Sequence, residues 1–561
     1  MNPAVAKIAP AAASTDEPVG DLIAHALAEL GVTTIFGVIS IHNMPILDAV
    51  ARQGRINFVP ARSEAGAMNM ADAYARVARK LGVVMTSTGT AAGNAAGSQV
   101  EAQTAGSPVL HITSQVDRPF MDRDRAPIHD VPRQAEMLKA ISKSYFRVWE
   151  GRTAVGMLVA AARAALTSPK GPVSIEIPID VQRERISRPQ GIGLGRIDAV
   201  TPDPGQLDDL AAMIRKARRP LIWLGGGTRE ASAQARALVE LGFAAVTSTN
   251  GRAVIAEDHP HSLGAFNMTP QAQAIYDRTD LMIVIGSRLR GNETRNNEMR
   301  LPPLVQIDAD PTQVARNYPV DMFIASDAAL ALQGLLDRLP EKLDVDPAFL
   351  NDIAPARAKC EEALRATLGP YRELAEVMKA RVVAGRHPFV RDVTVSNSTF
   401  GNRFVHLAAP HLGVHALGGG IGQGVAMAVG AAHAGAGKVV ALLGDGGTMV
   451  NLGEFATAVE IKADIVYVLM NDRGYGVIRN IQDAQYGGRH VYADLHTPDF
   501  ALLSAGLGIA HQRVTTIADF AAAFDQALAT PGPRILEVDM VAIGPFAESF
   551  GGPPAGAAGK A

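Results

Sequence analysis

LLGDGG (Leu442–Gly447) and, about two dozen residues on, VYVLMNDRGYG (Val466–Gly476) each carry an apolar run that stops on an oxygen-bearing side chain, Asp445 in one and Asn471 in the other. Such a run reads as a strand buried on both faces, and parallel sheets hold their ligands where strands like this end. Similar runs fall into three groups along the chain. The first holds TTIFGVIS, NFVPARSE, GVVMTSTG, PVLHITSQ and PVSIEIPID; the second PLIWLGGG, AAVTSTNG, LMIVIGSRL, LVQIDAD and MFIASD; the third VTVSNS, VHALGG, VVALLGDG, IVYVLMND and RILEVDM. Ala-rich helical segments separate the runs, which is the rhythm of βαβ units. The reading is an α/β chain of three doubly wound parallel-sheet domains. A Pro/Gly-rich link (Ser187–Gly205) and a charged helical segment (Ala348–Gly385) without strand signals divide it. The expected parts are residues 1–188, 189–350, a helical linker 351–385, and 386–561.

At 561 residues the chain is too long for one hydrophobic core. Its net charge of -3 and scattered basic residues leave no footprint for nucleic acid or an anionic membrane. One cysteine, Cys360, excludes an intramolecular disulfide framework and suits a reducing compartment, so the expected location is cytoplasmic. The stretch Gly418–Gly447 is short of charge, but its glycines and AGAGK break make it a Gly-rich loop, a buried helix and a buried strand rather than a membrane span. MNPAVAKIAPAAASTDEPVG reads as a loose tail, and SFGGPPAGAAGKA as a disordered one.

Two hard oxygen donors at neighbouring strand ends, Asp445 and Asn471, suit an octahedral Mg²⁺ that completes its shell with water and a diphosphate. Gly444, Gly446 and Gly447 let backbone N–H groups approach phosphate oxygens, and a helix expected from about Leu452 points its positive end at them.

Gly-Asp-Gly followed about 25 residues later by a strand-ending Asn resembles the cofactor motif of thiamin-diphosphate enzymes. The resemblance implies Mg²⁺ ligated by Asp445, Asn471 and the backbone carbonyl of Arg473, with Gly474 and Tyr475 beside the cofactor. It also demands a glutamate that hydrogen-bonds the cofactor's pyrimidine ring. PARSEAGAMNMADAYAR (Pro60–Arg76) is similar to the family's Glu-x-x-x-x-x-Met-Ala-x-x-Tyr-Ala-Arg and puts Glu64 there, in an apolar pocket. TSTGTAAGN (Thr86–Asn94) resembles the Thr-x-Gly-Pro-Gly-x-x-Asn loop, departing from it at Thr90 and Ala91. GGGIGQG (Gly418–Gly424) resembles the loop whose apolar residue, Ile421, wedges the cofactor while the Gly419 carbonyl accepts from its amino group. Asn397, Ser398 and Thr399 of VSNSTF fall at the diphosphate end. The family builds each site from two subunits, which implies a homodimer at least and commonly a homotetramer, with Glu64 and Asp445 far apart within one chain.

A rival dinucleotide reading of WLGGGTREASAQARALVELG lacks the G-x-G-x-x-G spacing and an acid after the next strand. Some relatives hold FAD in the middle domain without using it, so FAD stays open though not favoured. The arginines of SRLRGNETRNNEMR (Ser287–Arg300) could meet an adenine nucleotide, a coenzyme A tail, solvent or a subunit contact; solvent or a subunit contact is the preferred reading.

Two loops bear on the reaction. His42 of FGVISIHNMP falls where benzaldehyde-lyase-like members carry a histidine that moves a proton on the substrate hydroxyl, and a core or surface histidine is the equal alternative. His129 of DRAPIHDVPRQ falls near a glutamine of relatives. NDRGYGVIR resembles benzoylformate-decarboxylase relatives more than acetolactate synthases. The expectation is non-oxidative cleavage or formation of a C–C bond next to a carbonyl, on a 2-oxo acid, aldehyde or acyloin. Alternatives are acetolactate-synthase-like carboligation with bound FAD, 2-hydroxyacyl-CoA-lyase-like chemistry, and a non-catalytic relative that only binds the cofactor.

Overall fold

The computed structural model describes residues 16–548 and Gly551. Both chain ends read above as tails fall largely outside the described residues. Three parallel sheets carry the fold, as the apolar runs require. A short antiparallel pair, β1 (Asp16–Pro18) with β8 (Arg185–Ser187), closes off the first of them. Between these lie β2 (Thr34–Gly37), β3 (Asn57–Pro60), β4 (Gly82–Thr86), β5 (Val109–Gln115), β6 (Ser144–Arg147) and β7 (Val173–Pro178), in spatial order β3-β2-β4-β5-β7-β6. The central sheet runs β10-β9-β11-β12-β13, from β9 (Pro220–Leu224), β10 (Ala244–Thr247), β11 (Leu281–Ile285), β12 (Leu304–Asp308) and β13 (Met322–Ala325). The third runs β15-β14-β16-β17-β19-β18, from β14 (Phe389–Arg391), β15 (Gly413–His415), β16 (Val439–Gly444), β17 (Ile465–Asn471), β18 (Ala510–Val514) and β19 (Arg534–Asp539).

First and third sheets share one topology, and all three reverse strand order near one edge: between β2 and β4, between β9 and β11, and between β14 and β16. Each reversal splays the loops at the strands' carboxyl ends and opens a crevice there.

Within the chain the first and third sheets meet helix on helix. The Glu64–Ala78 helix lies so close to the Gly424–His433 helix that a Cβ on Gly430 would fall 2.1 Å from the Met70 carbonyl oxygen. Met68, Ala71, Ala75, Val425, Ala428 and Val429 then form one core across the two. The stretch read as loop, buried helix and buried strand has that form, and no helix among the described residues is long and apolar enough to cross a membrane.

Two local expectations fail, and two strands carry no sequence signal. VTVSNS is not a strand: pairing stops at Arg391, Thr394 caps the Asn397 N–H through its hydroxyl (3.0 Å), and Asn397–Gly401 coils into a π-helical turn. The β-branched residues gave a strand signal that the cap overrides. Helical turns begin at Asp445 itself (Asp445–Thr448), not near Leu452, because Gly444 already ends the strand in extended backbone. Two edge strands, β6 (SYFR) and β18 (AHQRV), escaped notice because a half-solvated edge keeps its polar residues.

Candidate active site

β16 and β17 pair in register through Gly444 and Met470, so Asp445 and Asn471 stand side by side as each strand ends. The Asp472 N–H donates to Asp445 Oδ1 at 3.4 Å, while Oδ2 is buried without a partner. Burial pushes Asp445 up to about 7, and the neighbouring Asp472 carboxylate adds to the rise. Asn471 is turned by its own contacts: Nδ2 donates to Glu537 Oε1 (2.8 Å) and Oδ1 accepts from the Arg473 N–H (3.1 Å). Burial alone would raise Glu537, but hydrogen bonds from His511, Asn471 and Arg513 bring it down to about 2. It is thus a fixed anion that aims the amide. Arg473 sits in the left-handed region (φ +55°), and its carbonyl has a single backbone donor, Leu495 N–H at 3.3 Å.

More unpaired oxygens gather on the same loops. Ser396 Oγ, Asn397 Oδ1 and Thr448 Oγ1 are buried without partners. Thr399 differs, since its hydroxyl donates to the Val395 and Ser396 carbonyls (3.0 Å each), and Ser398 is only half-buried. Buried polar atoms without partners are costly. An orphaned carboxylate oxygen beside an amide and a carbonyl is a hard-oxygen donor set that fits Mg²⁺, and the hydroxyls beyond it fit a diphosphate. Gly446 is required by a close approach: a Cβ there would meet the Tyr475 ring at 2.8 Å. Gly474 is buried too.

The Gly418–Gly424 loop borders this region. Gly419 and Gly422 take φ of +82° and +80°, and Ile421 between them is 40% exposed. Asp392, wholly buried at the end of β14, accepts from Gly422 N–H (3.0 Å) and Gly424 N–H (3.3 Å). Burial pushes its carboxyl up to about 6 against the backbone N–H groups that pull it down.

In the first domain Glu64 opens its helix directly after the N-cap Ser63, which accepts from Gly66 N–H at 2.9 Å. Glu64 Oε2 accepts from Asn94 Nδ2 (3.1 Å), so the two motifs quoted for this side do meet. Glu64 is half-buried in the single chain instead of enclosed in an apolar pocket. Thr90 and Ala91, where a Pro-Gly was expected, begin the Thr90–Ala105 helix after Gly89 (φ +66°). His42 and His129 come together from the loops after β2 and β5, with ring centroids 5.2 Å apart. His42 is buried with Nδ1 unpaired, and burial followed by His129 lowers its pKa. His129 sits at φ +68° with Nδ1 3.5 Å from Ser87 Oγ.

Among the described residues no hydrogen bond or ion pair joins Glu64, His42 or His129 to Asp445, Asn471 or Arg473; they form two groups, one in the first domain and one in the third. Glu537, which sets Asn471, and Asp392, which holds the Gly-rich loop, carried no sequence signal, and neither did the buried hydroxyl of Ser396.

A cavity of about 560 Å³ opens at the strand reversal of the central sheet. Arg76, Arg79, Arg229, Arg288, Arg290 and Arg316 line it, with fewer acids facing them. Of the Ser287–Arg300 arginines, Arg288 is exposed and Arg290 half-buried; both line this cleft and donate to the Thr104 and Leu417 carbonyls. Arg295 packs on the Met268 carbonyl, and Arg300 alone is a surface pair, with Asp277.

Comparison with known proteins bears on both groups. Residues 18–163 match the thiamine pyrophosphate enzyme N-terminal TPP binding domain, 207–335 the central domain and 394–538 the C-terminal TPP binding domain. The chain belongs to the thiamine pyrophosphate enzyme family. It is 27% identical over 536 residues to an acetolactate synthase of Mycobacterium bovis, covering 90% of this chain and 85% of that protein. It is 28% identical over 505 residues to a probable 2-ketoarginine decarboxylase of Pseudomonas aeruginosa, covering 88% of each, and 26% identical over 549 residues to a chloroplastic acetolactate synthase of Arabidopsis thaliana, covering 92% and 80%. As a thiamine pyrophosphate enzyme it takes thiamin diphosphate as cofactor, with small-molecule substrates.

Proposed function

We propose that this enzyme cleaves the bond between the carboxyl and carbonyl carbons of a 2-oxo acid, then hands the acyl fragment to a proton or to a second carbonyl. The observation that carries the reading is the unpaired Asp445 Oδ2 beside Asn471 at adjacent strand ends. Asp445, Asn471 and the Arg473 carbonyl would hold Mg²⁺, with Ser396, Asn397 and Thr448 facing the diphosphate and Ser398, Gly444, Gly446 and Gly447 along its edge. When bound, thiamin diphosphate supplies a nucleophilic carbon and a sink for the electrons of the breaking bond. Glu64, oriented by Asn94, would exchange a proton with a pyrimidine nitrogen of the bound cofactor. His42 is neutral near pH 7, because burial and His129 lower its pKa, so its open Nδ1 can exchange a proton with the hydroxyl of an acyloin, where the acyl fragment goes to a second carbonyl, with His129 as the second station. Because the family builds each site from two subunits, we place each active site between the first domain of one chain and the third domain of its partner in a homodimer or homotetramer. The single cysteine, buried against Thr269, supports a cytoplasmic enzyme.

The test is CO₂ release and product analysis with pyruvate, benzoylformate and benzoin supplied separately, with thiamin diphosphate and Mg²⁺. An aldehyde or acyloin product, lost when either cofactor is withheld, is expected; no turnover of any of the three by cofactor-loaded enzyme would overturn the reading. Two observations support a second version, acetolactate-synthase-like carboligation with FAD: relatives of that name and the basic central cleft. A flavin spectrum in the acid-released fraction and acetolactate from pyruvate would select it.

A further inference from the structure

The cofactor loop Gly418–Gly424 is held from both ends by buried carboxylates, and one of them belongs to another domain. At its far end Asp392, from the same sheet, takes the Gly422 and Gly424 N–H groups. At its near end Glu101, on the Thr90–Ala105 helix of the first domain, takes the Leu417 N–H on Oε1 (2.7 Å) and the Gly418 N–H on Oε2 (2.6 Å). Glu101 is 1% exposed and is itself held: Arg76 Nη2 donates to Oε1 at 3.2 Å and pairs with buried Asp72, while Arg76 Nη1 donates to the His415 carbonyl (2.7 Å). From the central domain Arg290 Nη1 reaches the Leu417 carbonyl at 3.3 Å. The approach leaves no slack, since a Cβ on Gly418 would lie 2.7 Å from Glu101 Oε2. Only Gly419, Gly420 and Ile421 lie between the two carboxylates.

We propose that Glu101 is a positioning residue: it fixes where Gly419 and Ile421 stand, so that this loop meets the aminopyrimidine end of the cofactor while Asp445 and Asn471 meet the other. The proposal rests on the thiamin-diphosphate reading above. A glycine-rich stretch with two positive-φ residues has many conformers of similar energy, and two charge-assisted hydrogen bonds from an immobile carboxylate select one before the ligand arrives. Because Glu101 acts on backbone amides, its effect falls on the half of the ligand that the loop touches.

The discriminating variant is Glu101→Asp, which keeps the charge that Arg76 needs and withdraws the oxygens from the two amides by about one methylene. Glu101→Ala is the harsher companion. Hydrogen exchange of the peptide spanning 415–424 in the cofactor-free protein is expected to speed about tenfold in Glu101→Asp while the rest of the third domain keeps its protection. Affinity for thiamin diphosphate with Mg²⁺ is expected to fall about tenfold, and affinity for inorganic pyrophosphate with Mg²⁺ to stay within about twofold, as only the former has an aminopyrimidine. Equal loss of both ligands with domain-wide exchange would show a merely structural role. Unchanged exchange and unchanged affinity would overturn the proposal too. A parent protein that binds pyrophosphate but not thiamin diphosphate would instead sink the reading beneath it.

Discussion

Asp445→Asn should make the metal-free protein more stable while abolishing its cofactor binding. The carboxyl of Asp445 is buried, next to Asp472, with one oxygen unpaired, and its pKa is pushed from 3.8 up to about 7. At 1.36 kcal/mol per pH unit that rise corresponds to a ceiling of about 4 kcal/mol for holding the group ionised. Relaxation and water entry reduce it, and about 2 kcal/mol is a working figure. Since the folded-state value lies above the unfolded one, the parent loses stability as pH rises from about 4 through about 7, and the asparagine variant does not. The advantage is therefore absent below about pH 4 and complete above about pH 7, where it should raise the melting temperature of a domain of this size by about 5 °C. Scanning calorimetry of both proteins in EDTA, at pH 5 and pH 8, reads it. With saturating Mg²⁺ and thiamin diphosphate the order should invert, because only the parent gains binding energy. A variant that melts below the parent at pH 8 without metal would refute the claim that this carboxylate is held ready for a cation.

Further outcomes follow from other contacts. Glu64→Gln should slow C2-proton exchange of bound thiamin diphosphate about 10²–10⁴-fold while leaving the affinity for the cofactor nearly unchanged, as read by NMR exchange and titration. His42→Ala should lower kcat about 10²-fold, and in the parent the acid limb of kcat/KM should lie below pH 6.5, because burial and His129 lower the His42 pKa and keep it neutral above that point. A limb centred above 6.5 would exclude His42 as the proton acceptor. Arg252→Ala should destabilise the fold by about 3–5 kcal/mol in thermal melts, since it strands buried Glu257 and frees the Gly401 and Val405 carbonyls.

What the sequence made legible was local. The strand-end places of Asp445 and Asn471 could be read because each ends a strong apolar run, and the helix that Glu64 opens because its pattern spans a dozen residues. All five central strands were readable for the same reason. VTVSNS misled because three β-branched residues say strand while one hydroxyl cap decides otherwise. Glu101 was invisible: it looks like an ordinary helical acid, and the amides it holds lie more than 300 positions away. Glu537 and Asp392 were hidden the same way, for each is defined by what it bonds across a sheet end. The approach of His42 to His129 depends on the strand order β2-β4-β5, which no local signal encodes.

Whether the Glu64 and Asp445 groups combine between subunits is open to direct measurement by complementation. Glu64→Gln and Asp445→Asn, each inactive alone, are co-expressed with different tags so that mixed dimers form. In a mixed dimer one site receives both intact halves and the other neither, so a random population should recover about one quarter of parental activity. That recovery, with the purified mixed dimer at about one half, is the expected result. Activity no higher than that of either variant alone, in a preparation shown to contain mixed dimers, would contradict a site shared between chains.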